Sequence, residues 1–184
     1  MRKILFLTTS PTAGGNGDAL ISTAMEAAEK AGAQTELVNI REKKINFCKA
    51  CYGCREAGVC VQKDDFQALL ALAHKSDAIV CTAPIYYNCM AAQMLTVINR
   101  LCCTFACKTY VLGPKKKVAF MLTCTGSEAD EMTRHVRNIT TLPSIARTIR
   151  GEKIEVFTKC VSSDSANSEE YLARAREIGA WAAE

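Results

Sequence analysis

Residues 4–28 constrain the fold most strongly, because a short apolar run, a glycine-rich turn and an alanine-rich segment follow one another there. The run at 4–7 is typical of a buried strand, and the spacing of apolar residues over 19–28 predicts a helix. Free backbone N–H groups and the positive end of the helix dipole converge where such a helix begins. The stretch therefore predicts an anion site at the start of the first helix.

The turn supplies hydroxyl and amide donors rather than positive charge. Ser10, Thr12 and Asn16 can each donate to a ligand oxygen, and residues 4–29 include no lysine or arginine. Asp18 suits the first turn of a helix, but its carboxylate has to point away from a bound phosphate. A surface turn without a ligand is the alternative, since a single glycine-rich turn is a weak signal.

Strand-like and helix-like segments alternate along all 184 residues. Five strands alternating with five helices indicate a parallel sheet covered on both faces, for which we expect the strand order 2-1-3-4-5. The length favours a single domain spanning 1–184, with an irregular cysteine-rich insertion at about 41–63. The strands are expected at 3–8, 34–40, 77–82, 118–123 and 153–158, and the helices at 17–32, 66–74, 90–103, 128–141 and 168–183.

The first loop carries a recognisable pattern. Ser-Pro-x-x-x-Gly-Asn at 10–16 resembles the phosphate loop of the flavodoxin-like NAD(P)H-dependent FMN reductases, a superfamily that includes the iron–sulfur flavoproteins. The resemblance covers about residues 2–130 and implies a flavodoxin-like three-layer α/β sandwich that binds FMN. The chain departs from the family at Thr12, where arginine is frequent, and at Gly17, where a hydroxyl residue is frequent.

Two further loops are expected at the carboxyl ends of strands, where ligands of this fold bind. Pro-x-Tyr at 84–86 and Asn99-Arg100 in the next helix resemble the flavin-ring loop of the same superfamily, in which Asp-Arg is the usual pair. Thr-x-Thr-Gly at 123–126 fits its second ring-edge loop. The alternative for the tyrosines is packing in the core or in an interface. The residues expected to contact FMN are Ser10, Thr12, Asn16, Gly17, Asp18, Pro84, Ile85, Tyr86, Tyr87, Asn88, Thr123, Thr125 and Gly126.

Four of the eleven cysteines lie close together in the chain, as Cys48-x2-Cys51-x2-Cys54-x5-Cys60. Short spacings of this kind let successive thiolates converge on one polynuclear centre. The motif resembles the compact cysteine motif of the iron–sulfur flavoproteins, which implies a 4Fe-4S cluster held by these four residues. A zinc ion bound by the same thiolates, or reduced thiols without a metal, are the open alternatives.

Composition and hydropathy argue against several classes of protein. The net charge is only +4 and both signs are mixed, whereas a dedicated nucleic-acid binder concentrates basic charge on one face. The apolar run at 4–7 is too short for a signal peptide, and no apolar stretch is long enough to span a bilayer. We therefore expect a cytoplasmic protein with neither a nucleic-acid nor a membrane partner.

Three functions are compatible with these features. The first is an FMN-binding oxidoreductase that passes electrons from NAD(P)H through the flavin to an unidentified acceptor, with no catalytic side chain of its own. The second is an iron–sulfur electron carrier that takes single electrons from a ferredoxin-like donor. The third is a flavin-binding or regulatory domain with little turnover. The resemblance also implies a homodimer or homotetramer, and the apolar stretch at 90–113 could contribute to its interface.

Overall fold

The computed structural model describes residues 1–87, 89–106, 116–124, 151–160 and 168–184, with the backbone alone at 105–106 and 151–160. The strands are β1 (Lys3–Thr8), β2 (Gln34–Asn39), β3 (Ala78–Tyr86), β4 (Cys89–Met90), β5 (Lys116–Cys124) and β6 (Gly151–Cys160). The helices are α1 (Asn16–Lys30), α2 (Gly53–Ala57), α3 (Phe66–Lys75), α4 (Ala92–Ala106) and α5 (Glu169–Ala183), and a 3-10 turn covers Ile40–Glu42.

The sheet has the predicted topology. Its long strands are all parallel and lie in the order β2-β1-β3-β5-β6. The short strand β4 pairs antiparallel with the end of β3. Because β5 and β6 are the fourth and fifth long strands of the chain, the expected order 2-1-3-4-5 is confirmed.

Alternate residues of the central strands face two separate apolar cores, as the pleat of a strand requires. On β1, Leu5 and Leu7 face one layer of helices, while Ile4 and Phe6 face the other. The first core is completed by α3 and α4, chiefly through Phe66, Leu69, Leu70, Met94, Val97 and Leu101. The second is completed by α1 and α5, through Leu20, Ile21, Ala24, Ala28, Ala175, Ile178 and Ala182. The result is the expected three-layer sandwich.

Helices α1 and α5 pack closely because a glycine lies at their contact. A Cβ atom added at Gly179 would lie 1.9 Å from the carbonyl oxygen of Ala24. Any side chain there would push the helices apart, so Gly179 helps to fix the position of α1 and of the loop that leads into it.

Strand β3 is longer than the sequence predicts. A strand ending at Thr82 with a loop over 83–88 was the expectation, but the strand continues to Tyr86. The prediction was wrong because proline lacks a backbone N–H donor but keeps its carbonyl acceptor, so a strand can continue through it. The Pro84 carbonyl accepts a hydrogen bond from Ala91 N at 2.9 Å. Beyond Thr82 the chain pairs with β5 on one side and with β4 on the other.

Two helix predictions also change. Helix α4 begins at Ala92 rather than at Met90, because Met90 belongs to β4. The short helix α2 lies in the cysteine-rich stretch, which the sequence indicates only as irregular. The helix expected at 128–141 lies outside the described residues. Within the described part of the chain, no helix is long and apolar enough to cross a membrane.

Candidate functional site

Strand register brings the first predicted loop and the carboxyl ends of β3 and β5 to one edge of the sheet. Thr8 lies opposite Thr82 across the β1–β3 pair. The next residue, Thr9, donates both its backbone N–H and its hydroxyl to the Thr82 carbonyl, at 3.0 and 2.8 Å. One strand further along, Pro84 lies opposite Thr123. The loop after β1 and the ends of β3 and β5 are therefore neighbours, as expected from the fold.

The glycine-rich loop is folded on itself. Ser10 is 8% exposed, and its Oγ donates to the Thr12 carbonyl at 3.1 Å and accepts from Thr12 N at 3.3 Å. Gly14 has a φ of +68°, a left-handed conformation that glycine adopts without strain. The Ser10 hydroxyl is thus used to shape the loop, and Thr12 is exposed on its surface.

Helix α1 directs its first amides out of this loop. Asn16 and Gly17 are its first two residues, so their N–H groups have no acceptor within the helix. The nearby Thr82 Oγ1 is buried and has no hydrogen-bond partner among the described residues. A Cβ atom added at Gly17 would lie 3.4 Å from it. Amides without an acceptor at the positive end of a helix suit an anion.

The Asp18 carboxylate holds the loop by accepting hydrogen bonds from it and from its neighbours. Its Oδ1 accepts from Thr8 Oγ1 at 2.8 Å and from Arg41 Nη1 at 3.1 Å, and its Oδ2 accepts from Gly14 N at 2.9 Å. The ion pair with Arg41 has an N–O distance of 2.9 Å. Burial raises the pKa of Asp18, but the hydrogen bonds from Arg41, Thr8 and Gly14 outweigh it and lower the pKa overall. The carboxylate is therefore ionised and already occupied by the chain's own donors.

Arg41 contacts the first loop and was not predicted from the sequence. Arg41 lies just after β2. Because Asn39 of β2 pairs with Thr8 of β1, Arg41 lies beside the first loop. Arg41 also donates to the Ser10 carbonyl at 3.3 Å. Its contact with Asp18 spans 23 residues and leaves no local pattern in the sequence, although the parallel β1–β2 pairing implies that some residue after β2 must lie there.

The predicted ring loop becomes a hairpin with two exposed aromatic rings. Tyr86 is 52% exposed, and Tyr87 is fully exposed with a φ of +49°. A left-handed tyrosine is uncommon and is maintained here by the β3–β4 pairing. Neither ring is in the core of the chain. Ile85 and Thr123 are buried, at 8% and 7% exposed. Three other predicted contacts, Asn88, Thr125 and Gly126, lie outside the described residues.

The four motif cysteines lie in the cysteine segment, defined here as residues 46–64. Cys48 and Cys51 are exposed, and Cys54 and Cys60 are half-buried. All four line one cavity of about 180 Å³ with a mostly apolar wall. Left-handed backbone at Ala50, Tyr52 and Gly58 supplies the turns that bring the cysteines round it. In the described ranges, no three histidine, cysteine, aspartate or glutamate side chains are grouped closely enough to hold a single metal ion.

Helix α4 adds two cysteines and an arginine to the same cavity. Cys102 and Cys103 contribute to its wall, although their spacing in the sequence carries no ligand pattern. Arg100, expected from the sequence to belong with the flavin-ring loop, lies against the cysteine segment and is 1% exposed. Its Nη2 donates to Cys60 Sγ at 3.3 Å and to Asp64 Oδ1 at 3.0 Å.

Known proteins similar to this chain identify its family. The sequence model of the NADPH-dependent FMN reductase family matches residues 2–153. An iron–sulfur flavoprotein of Archaeoglobus fulgidus is 38% identical over 99 residues, which are 54% of this chain and 45% of that protein. An iron–sulfur flavoprotein of Methanosarcina thermophila is 30% identical over 137 residues, 74% of this chain and 70% of that protein. The first of these matches spans less than half the length of the relative.

Solved structures agree on the fold. An NAD(P)H:quinone oxidoreductase from Methanothermobacter marburgensis superposes with a TM-score of 0.74 at 16% identity, over 97% of this chain and 98% of that one. Sheet order and loop placement define a flavodoxin-like α/β protein. The chain belongs to the NADPH-dependent FMN reductase family, and its curated relatives are iron–sulfur flavoproteins.

Acid titration of Asp64 tests the buried ion pair. The Asp64 side chain is 4% exposed. Burial raises its pKa, but hydrogen bonds from Arg100, Asn46 and Phe66 together hold the pKa at about 2, below the ordinary 3.8. The stability that the carboxylate contributes is therefore complete above pH 4 and is lost as the pH falls towards 2, a change of about 2 kcal/mol.

The measurement is the free energy of unfolding in denaturant at about pH 5 and about pH 2. We expect the parent chain to lose about 2 kcal/mol more than Asp64→Asn over this interval, because the variant has no carboxylate to protonate. Equal losses in the two proteins would show that the ion pair does not stabilise the fold.

Proposed function

We propose that this chain binds one FMN at the carboxyl edge of its sheet and passes electrons from NAD(P)H through the flavin to an acceptor. The observation that carries the proposal is the meeting of the first loop with the ends of β3 and β5 at this edge, in a chain that the FMN reductase family model matches over 2–153. When bound, FMN supplies the redox chemistry, since it accepts electrons in pairs and releases them in pairs or singly. The protein binds, orients and shields it.

The first loop fits the phosphate of FMN. The amides of Asn16 and Gly17 are open at the start of α1, and the Asn16 side chain adds a donor. Arg41 compensates the charge of Asp18, so that the nearest carboxylate repels a phosphate less. The loop can therefore bind an anion without a lysine or arginine of its own.

The hairpin formed by β3 and β4 fits the flavin ring. Tyr86 and Tyr87 extend from the edge at which the first loop lies, and Pro84 and Ile85 hold them on a paired strand. Thr123, buried at the end of the neighbouring β5, closes the same edge. Aromatic rings on a rigid strand end offer an apolar wall for a planar ligand.

The cysteine cavity supports a second function, that of an electron carrier with a 4Fe-4S cluster. Cys48, Cys51, Cys54 and Cys60 would hold the cluster through four thiolates, the ligand set that such clusters use. Their common cavity and the names of the curated relatives favour this role. A ferredoxin-like protein would then supply single electrons in place of NAD(P)H.

The phosphate position is tested with Asn16→Asp. A donor becomes a negative charge facing the phosphate, so we expect FMN binding to weaken by about 1–3 kcal/mol, measured by titration of the apoprotein. The control is Gln34→Glu, the same chemical change at an exposed residue at the start of β2. Affinity that is the same in Asn16→Asp as in the parent would remove Asn16 from the site.

The ring position is tested with Tyr86→Ala. We expect the absorbance bands and the reduction potential of bound FMN to shift, while the far-ultraviolet circular dichroism stays unchanged because the ring is 52% exposed. Tyr52→Ala, which removes an exposed ring from the cysteine segment, is the control and leaves the flavin spectrum as it is. If Tyr86→Ala behaves like the control, the flavin ring binds elsewhere.

The cluster is tested by iron and sulfide analysis after anaerobic reconstitution. We expect about four irons and four sulfides per chain in the parent and a loss of both in Cys51→Ala, with FMN retained. The control is Cys81→Ala: Cys81 lies in the core, where burial raises the pKa of its thiol to about 12, so it is not available as a ligand. Iron near zero in the parent, with FMN bound, would leave a flavin reductase without a cluster.

A further inference from the structure

The two ends of the cysteine segment are tied together by hydrogen bonds. Asn46 donates to Asp64 Oδ2 through its backbone N–H at 3.0 Å and through Nδ2 at 3.2 Å. One step outward, Lys44 N donates to Asp65 Oδ2 at 2.7 Å, and Asp65 N donates to the Lys44 carbonyl at 3.2 Å. All four motif cysteines therefore lie on a closed loop whose neck is formed by these contacts.

Arg100 enters this neck from α4. Its Nη1 donates to the Asn46 carbonyl and to Asp64 Oδ2, both at 2.7 Å, and its Nη2 donates to Asp64 Oδ1 at 3.0 Å. The guanidinium also lies over the ring of Phe66, 4.5 Å from its centroid. Arg100 thus holds both ends of the loop, and its side chain is fully buried.

The same guanidinium reaches a motif cysteine. Arg100 Nη2, fixed in orientation by its bond to Asp64, donates to Cys60 Sγ at 3.3 Å. An ion pair between Arg100 and Asp64 needs only the carboxylate as a partner. Here the charged guanidinium also donates a hydrogen bond to the Cys60 sulfur. Lysine has no planar fork and cannot hold Asn46, Asp64 and Cys60 in the same way.

We propose that Arg100 is a positioning residue for the fourth cysteine: it closes the neck of the cysteine segment and holds the Cys60 sulfur by a charged hydrogen bond. The redox consequence of this role rests on the proposed function, in which the motif binds a 4Fe-4S cluster. A hydrogen bond and a positive charge at a ligand sulfur favour the more negative, reduced cluster. Arg100 therefore raises the reduction potential of a cluster bound at this motif.

The test compares Arg100→Gln and Arg100→Lys with the control Arg55→Gln. Arg55 is an exposed cation in the same segment, over the Tyr52 ring at 4.3 Å, so its loss removes one charge without touching the neck. Two quantities are measured: the midpoint potential of the reconstituted cluster in an anaerobic titration followed by electron paramagnetic resonance, and hydrogen exchange of residues 46–64 in the iron-free chain.

We expect Arg100→Gln to lower the one-electron reduction constant at least tenfold, which corresponds to about 59 mV. Arg100→Lys falls between this variant and the parent because it keeps the charge, and Arg55→Gln stays within about twofold of the parent. In the iron-free chains, exchange over 46–64 becomes at least tenfold faster in Arg100→Gln than in Arg55→Gln. Equal potentials in Arg100→Gln and Arg55→Gln would overturn the role at sulfur.

Failure of the cluster and failure of this proposal give different results. A parent chain that takes up no iron refutes the cluster, and hydrogen exchange then decides whether Arg100 closes the neck. If Arg100→Gln alone fails to hold iron, the midpoint potential of Arg100→Lys is compared with that of the parent instead. A lower potential in Arg100→Lys supports the proposal, and an unchanged potential contradicts it. If both variants lose iron, accelerated exchange over 46–64 supports the proposal and exchange equal to the control overturns it.

Discussion

The parallel pairing of β1 with β3 is the constraint on which the arrangement of the rest depends. It joins Thr9 to the Thr82 carbonyl and so anchors the glycine-rich loop at the carboxyl edge of the sheet. Once that edge is set, β5 on the far side of β3 brings Thr123 beside Pro84. This strand order makes neighbours of the loop amides, the tyrosine hairpin and the end of β5. A ligand that needs both an anion site and an apolar wall can therefore bind at this edge.

The cysteine segment begins at the same edge. Strand β2 ends opposite Thr8, and the chain then passes Arg41, which contacts the first loop, before it enters the segment. The return from the segment is held by the Asp64–Arg100 ion pair, while Cys54, Val59 and Cys60 pack against the first apolar core. Each candidate site thus depends on one ion pair, Asp18–Arg41 for the first loop and Asp64–Arg100 for the cysteine segment. The Asp64–Arg100 pair is buried, and a buried pair gives specificity of placement more readily than net stability.

The sequence predicts what is periodic or local in this chain. Apolar runs locate the strands, the spacing of glycine, serine and asparagine indicates the first loop, and the cysteine spacing indicates a common centre. Arg41 and Arg100 could not be assigned in this way, because their contacts with Asp18 and Asp64 span 23 and 36 residues. The extension of β3 through Pro84 was missed for a different reason, since proline signals a turn even where its carbonyl continues the pairing.

The visible spectrum and cofactor content of the anaerobically purified chain test most directly the proposal that it binds FMN, and whether the cysteine motif adds a cluster as the second proposed function requires. The account predicts flavin bands over a broad brown absorption, with about one FMN and four irons per chain, and bleaching of both features on reduction. Flavin bands alone would limit the account to its first site. A colourless chain that takes up neither FMN nor iron on reconstitution would contradict it.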